Sequence, residues 1–157
     1  MASIQGNGFF YDNYLLLLYR GGTFLPESDA LKVGLLLDTY SPNLAHTVLG
    51  DVSPFEVAGN GYSRQDAQNV AVSKDPNGFI RLDFDQCVFT AVGGLLAFKY
   101  WFLFDDTTPQ DYLMAFGEVD SLRQASSTGV VTLLDTKTFT FVPNELGFHR
   151  SPTSVLS

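Results

Sequence analysis

LKVGLLLDTYSPNLAHTVLGDVSPFEVAGNGYSRQ, residues 31–65, is the stretch from which the fold reads outward. It opens on the apolar run Val33-Gly34-Leu35-Leu36-Leu37, too short to span a bilayer and flanked by turn formers. That pattern predicts a buried strand over Leu31–Leu37. A polar, proline-containing connection follows from Thr39 to Val52. It is long for a compact domain, and long connections are usually functional or bound to something. The stretch then reaches Glu56-Val57-Ala58-Gly59-Asn60-Gly61-Tyr62-Ser63. Glycines on either side of an asparagine suit backbone with positive φ, so a tight turn or bulge is expected ahead of a strand at Tyr62.

Upstream, residues 1–11 read as an extended arm with aromatic anchors at Phe9, Phe10 and Tyr11. Asp12–Tyr19, DNYLLLLY, has an Asp suited to an N-cap, straight-chain leucines that favour helix, and Gly21-Gly22 as a stop, which predicts one short helix. A buried strand is the competing reading of that segment.

Downstream, Tyr62–Val72 alternates weakly and leads into Lys74-Asp75-Pro76-Asn77-Gly78, a turn signal that predicts a hairpin with the alternating strand Phe79–Phe84. After Cys87-Val88-Phe89-Thr90, Gly93-Gly94 breaks the chain. Leu95–Phe104, LLAFKYWFLF, is the most apolar decapeptide and reads as a central strand ending at the turn Asp105–Pro109. Tyr112–Val119 and Val130–Val142 supply the last strands, separated by a polar loop at 120–129. The tail NELGFHRSPTSVLS has no strand pattern and reads as a second arm. Short strands with turn signals about every ten residues predict an all-β fold, a β-sandwich or barrel. The domain then spans 12–143, between an arm at 1–11 and an arm at 144–157.

At 157 residues the chain fits one domain with a core large enough to need no staples. Its 14 Phe, 7 Tyr and 1 Trp favour strands and broad flat contacts. Seventeen acidic against nine basic side chains leave a net charge of −8. That argues against nucleic acid, whose binders need a basic footprint, and against an anionic membrane surface. The N-terminus lacks the basic and apolar regions of a signal peptide, and the longest near-apolar run, Tyr14–Tyr19, is far short of a bilayer span. Synthesis in a cytosol is expected.

The chemistry-bearing residues do not assemble into a catalytic pattern. A single cysteine, Cys87, leaves no internal disulfide, and its apolar neighbours predict a buried structural thiol. His46 and His149 are isolated, a poor basis for a metal or a general base. Asp83 and Asp85 share a strand face, but a solvated face explains them more cheaply than an acid–base pair. Ser53 and Ser63 lack a nucleophile elbow, and Gly59-Asn60-Gly61 lacks the Lys-Ser/Thr of a phosphate loop. No enzyme, cofactor or metal is expected.

The succession of an apolar strand (Leu31–Leu36), Tyr40-Ser41-Pro42-Asn43, His46, Asp51-Val52 and Glu56-Val57-Ala58-Gly59-Asn60-Gly61-Tyr62 resembles a family of small tailed-bacteriophage virion proteins. Leu82-Asp83-Phe84-Asp85, the aromatic strand ending at Asp105-Asp106-Thr107, and Leu113-Met114-Ala115-Phe116-Gly117 extend the resemblance, which covers roughly Tyr11–Gly147. Gly93-Gly94-Leu95 and the tail after Phe148 depart from it. The resemblance implies a non-enzymatic particle protein with a jelly-roll-like β-sandwich, one short N-terminal helix and extended terminal arms. The member it most suggests is a capsid cement or decoration protein, bound in many copies to the major capsid protein lattice on the capsid surface, self-associating as a dimer or trimer. Phe9, Phe10, Tyr11, Phe148, His149, Arg150, Val155 and Leu156 are then the expected interface residues. A tail or baseplate component is the first alternative. The second is a carbohydrate-binding β-sandwich module stacking sugars on Tyr62, Tyr100 or Trp101.

Overall fold

A computed structural model describes residues 2–4, 6–21, 25–74, 76, 80–85, 87–125, 130–133, 139–141 and 154–155. Backbone alone is described at 2–4, 6–9, 74, 80, 81, 83, 119–125, 130–133, 139–141 and 154–155. The fold is mostly β with one helix, and its largest unit is an open antiparallel sheet.

The strands are β1 (Ala2–Ile4), β2 (Gly6–Phe10), β3 (Leu31–Leu36), β4 (Gln65–Asp66), β5 (Ala71–Lys74), β6 (Ile80–Asp83), β7 (Cys87–Thr90), β8 (Leu96–Asp105), β9 (Tyr112–Ala125), β10 (Val130–Leu133), β11 (Phe139–Phe141) and β12 (Ser154–Val155). The helix α1 spans Asp12–Tyr19. Six strands form the main sheet in the order β12-β2-β9-β8-β3-β4, and two three-stranded sheets run β1-β10-β7 and β11-β6-β5. Within the main sheet every pairing is antiparallel; among the described residues the one parallel pairing joins β1 to β10.

The apolar decapeptide is the middle of the sheet, as its composition predicts, with β8 lying between β3 and β9. Two bulges set which residues face which side. One falls between Phe98 and Tyr100, where residues 119–122 of β9 stand against the single Lys99 of β8, and the other between Leu103 and Phe104, where Met114 is the extra residue of β9. Below the first bulge Leu96 and Phe98 face one core, and beyond it Trp101 and Leu103 do. An extra residue flips the alternation, so even and odd positions exchange sides.

Both faces of the sheet are therefore apolar, and both are covered. On one, Val33, Leu35, Trp101, Leu103 and Met114 pack with Tyr14 and Leu15 of α1 and with Leu82, Phe84, Cys87 and Phe89. On the other, Leu36, Tyr100, Phe102, Phe104, Leu113 and Phe116 pack under Tyr40, Val52 and the partly buried Leu44, Leu49 and Phe55. The long connection after β3 is thus a cover for the second face. It is held by two 3₁₀ turns, Leu49–Asp51 and Ser53–Phe55.

Several boundaries differ from the sequence reading. Tyr11 occupies the N-cap position with no side-chain cap bond, and Asp12 is the first helical residue. The Asp12 N–H, orphaned at a helix start, donates to the Leu44 carbonyl of the covering loop at 3.0 Å. Gly21, at φ 78°, ends the helix as expected. The expected loop at 120–129 begins later, because β9 continues to Ala125 against Leu96–Phe98 of β8. The expected strand 130–142 is two strands, and the tail contributes β12. Residues 6–10, expected in an arm, are a full strand of the main sheet, held to β9 from Gly6↔Val119 to Phe10↔Ala115. The 75–79 turn lies mostly outside the described residues, but the hairpin it implies is present, with Lys74 opposite Ile80.

Candidate interaction surface

The residues that the sequence reading grouped at 40–62 come together as two polar clusters beside the second core. Tyr40 leaves β3's end to lie inward, 2% exposed, with its ring edge-on to Tyr100 at 5.3 Å and to Phe116 at 6.3 Å. Its hydroxyl sits 3.0 Å from the Tyr11 hydroxyl and 3.1 Å from His46 Nδ1. Burial raises both tyrosine pKa values above the usual range. His46 thus belongs to a hydrogen-bonded aromatic network that pins the loop. Asp51 stitches the same loop, accepting the Thr47 and Val48 N–H groups at 2.8 and 3.1 Å. Those bonds hold its carboxyl below the usual range.

The second cluster is built by the Glu56–Tyr62 segment. Gly59, Asn60 and Gly61 all take positive φ, at 76°, 52° and 81°, so the chain reverses within three residues. The reversal brings the Tyr62 hydroxyl back to donate to Glu56 Oε1 at 2.6 Å and to accept the Leu35 N–H of β3 at 3.0 Å. Arg64 closes the cluster with a two-point bond to Glu56, Nε at 2.8 Å and Nη2 at 2.7 Å, and its guanidinium lies 5.3 Å from the centre of the Phe104 ring. Burial, then the bond to Glu56, raises the Tyr62 pKa, and the same carboxylate raises that of Arg64. The turn is tied to the far end of the fold by Asn60, whose Nδ2 donates to the Leu95 carbonyl and whose own carbonyl accepts the Val92 N–H, both at 2.8 Å.

Between the covering loop and β9 lies an open groove of about 280 Å³ lined by Pro42, Leu44, Phe116 and Glu118. Phe9 and Asn7 of β2 stand opposite Phe116 and Glu118 in register, and Val155 of β12 stands opposite Asn7. β2 therefore runs beside the β9 wall of this groove, with β12 next in the sheet. Lys99 reaches Glu118 at 3.3 Å on its rim.

Of the expected interface residues, Phe10 and Tyr11 are 1% and 0% exposed and belong to the chain's own two cores. That corrects their assignment to an arm contact: β2 feeds directly into α1, and the junction is driven inward by aromatic burial. Phe9 and Val155 are placed by backbone register alone, and Phe148, His149, Arg150 and Leu156 lie outside the described residues.

The three aromatic residues considered as sugar platforms are also accounted for. Trp101 is fully buried, Tyr100 is 8% exposed, and the Tyr62 hydroxyl is tied to Glu56 and Leu35 while its ring stacks on Phe89. None of them offers an open flat face. Cys87 is buried as expected, its thiol pushed up to about 12 by burial first and by Asp66 and Asp85 next. Asp85 accepts Asn69 Nδ2 at 2.6 Å, and the Asp83 side chain lies outside the described residues. Among the described residues no three His, Cys, Asp or Glu side chains converge as a metal site, and no helix is long and apolar enough to cross a membrane.

Sequence reasoning missed the inward turn of Phe10 and Tyr11 and the Arg64 bond to Glu56. The second had a signal: an Arg two residues after a Tyr that closes on an acidic residue. Compared with known proteins, the chain matches no family model and no curated protein.

Proposed function

We propose that this chain is a structural protein of a tailed-bacteriophage particle, a cement protein bound in many copies to the major capsid protein lattice and stabilising the head. The observation that carries the reading is what the Glu56–Tyr62 signature does. Each of its distinctive residues, Glu56, Gly59, Gly61 and Tyr62, serves to lock the loop to the edge of β3. A resemblance carried by fold-holding residues transfers a scaffold, and a scaffold is what cementing requires. Further support comes from the net charge of −8, suited to an outer shell more than to a DNA-lined interior, and from the terminal strands β2 and β12 meeting at one edge of the main sheet.

In this reading the fold is a jelly-roll-like β-sandwich, its second layer supplied by the two smaller sheets. Leu82, Phe84, Cys87 and Phe89 sharing one core with Val33 and Trp101 support that arrangement. Self-association as a dimer or trimer on a local symmetry axis would let a modest patch on each copy act with avidity.

Imaging purified particles and counting copies tests the proposal. Copies in the hundreds following the lattice support it. A handful at the tail moves the protein to tail assembly, and none at all overturns the reading. The contact test must respect the fold: deleting 1–11 would remove a core strand, so the informative truncation removes 152–157. Loss of occupancy with unchanged thermal stability would place the tail segment at the contact.

A further inference from the structure

Asp105 is the buried charged residue among the described residues, 1% exposed at the end of β8. Its Oδ1 accepts the Thr107 N–H at 2.9 Å, whereas Oδ2 has no hydrogen-bond donor among the described residues. Asp29, one residue before the Ala30 that is bonded to Asp106 and Thr107, is close enough for its carboxyl to raise that of Asp105. Asp29 is itself anchored, with Oδ2 accepting the Leu25 N–H at 2.8 Å. Around the two carboxyls the backbones interlock: the Asp106 N–H donates to the Ala30 carbonyl at 2.8 Å, and the Ala30 N–H donates to Thr107 Oγ1 at 2.7 Å. Two ionised carboxylates held together in a buried place repel each other. One proton between them turns the pair into a donor and an acceptor and satisfies the orphaned Oδ2.

We propose that Asp105 holds a proton and donates it to Asp29, and that this proton clamps the Leu25–Ala30 loop onto the turn that follows β8. The loop has a second hold, since Glu27 Oε1 accepts the Val72 N–H of β5 at 2.7 Å. The clamp therefore links the smaller β11-β6-β5 sheet to the end of the main sheet.

The surroundings favour a proton over a salt bridge. From β3, Lys32 Nζ is engaged at 3.2 Å by Asp106 and at 3.9 Å by Asp66. From α1, Tyr14 is buried, and its hydroxyl is raised above the usual range by burial, then by Asp105 and Asp29. From β9, Tyr112 stands opposite Asp105 in register. Burial, opposed by the Thr107 bond and reinforced by Asp29, pushes the Asp105 carboxyl up to about 6. A folded-state pKa above the ordinary 3.8 means that the folded protein holds this proton more tightly than the unfolded chain. The stabilisation is complete below about pH 4, declines as pH rises, and is gone above about pH 6.

The experiment is a set of unfolding curves on the full chain from pH 4 to pH 7.5, with the carboxyl carbons of aspartate followed by NMR. The folding constant of the native sequence is expected to fall on the order of a hundredfold across that range through this pair. Asp105→Asn, whose amide donates permanently to Asp29, should lose that part of the pH dependence. Should that variant not fold, Asp29→Asn serves: it removes the neighbouring charge, and the Asp105 carboxyl should titrate lower. An Asp105 resonance titrating near 4 in the native protein overturns the proposal. So does a calcium- or magnesium-dependent rise in stability at pH 7 that Asp105→Asn abolishes, because a cation would then be holding the pair.

Discussion

The Tyr62 hydroxyl lies 2.6 Å from the Glu56 carboxylate while accepting the Leu35 N–H at 3.0 Å, so one side-chain oxygen joins a loop, a turn and a strand. Tyr62→Phe removes that oxygen, leaving a buried N–H of β3 without its acceptor and Glu56 without one of its donors. The expected loss is about 1–3 kcal/mol in urea unfolding. A loss within error of zero would mean that water replaces the hydroxyl at no cost.

The Gly59-Asn60-Gly61 turn allows a sharper comparison. At Gly59, φ 76°, an added Cβ meets nothing within 4 Å, so Gly59→Ala should cost only the left-handed penalty of about 1–2 kcal/mol. At Gly61, φ 81°, the same Cβ would lie 2.9 Å from Val92 Cβ and 3.0 Å from the Thr90 carbonyl. Gly61→Ala should therefore be the more destabilising of the two in parallel denaturation curves, and equal losses would contradict this packing.

Cys87 is predicted to be inert in the folded protein. With the thiol buried and raised to about 12, almost no thiolate is present at pH 8. A thiol reagent such as DTNB should label it only after denaturant is added; labelling at the rate of a free thiol would mean that β7 opens readily.

Asp51 predicts a pH dependence of the opposite sign to that of Asp105. Its carboxyl is held below the ordinary 3.8 by the Thr47 and Val48 N–H groups, so its contribution is present above the unfolded value and lost as pH falls through the folded one. Asp51→Ala should cost about 1 kcal/mol at pH 6, as loss of a capping carboxylate does, and should flatten the stability profile below pH 4. An unchanged acid limb would assign that limb to other carboxylates.

The parts of the fold that were legible are those decided by their own residues. Leu31–Leu36, Leu96–Asp105, α1 and the 59–61 turn follow from apolar runs, helix formers and glycines within a few residues of one another. The illegible parts depend on distant partners. Arg123–Ala125 lie in a segment polar enough to read as loop and are strand because Leu96–Phe98 of β8 pair with them. Phe10 and Tyr11 look like exposed anchors next to a polar N-terminus, yet each enters a different core because β2 ends where α1 begins. The covering role of 39–55 is likewise invisible locally, since its few apolar residues, Leu44, Leu49, Val52 and Phe55, are spaced for neither helix nor strand. Of the polar clusters, the residues were visible at 56–62 but not their bonding to Leu35 and Arg64.

The bulge between Phe98 and Tyr100 has a bearing on how such a chain can vary. Most length changes in proteins accumulate in surface loops, but here the unequal count lies inside the sheet, where β9 passes five positions from Glu118 to Arg123 while β8 passes two from Tyr100 to Phe98. Deleting Lys99 would leave the strand continuous and still hydrophobic, and it would make the alternation of β8 regular from Leu96 to Phe104. Leu96, Phe98, Trp101 and Leu103 would keep one core and Tyr100, Phe102 and Phe104 the other, with the Lys99–Glu118 ion pair as the loss. The length of this strand is therefore adjustable at Lys99, whereas loss of Trp101, Phe102 or Leu103 would turn one part of β8 over relative to the rest.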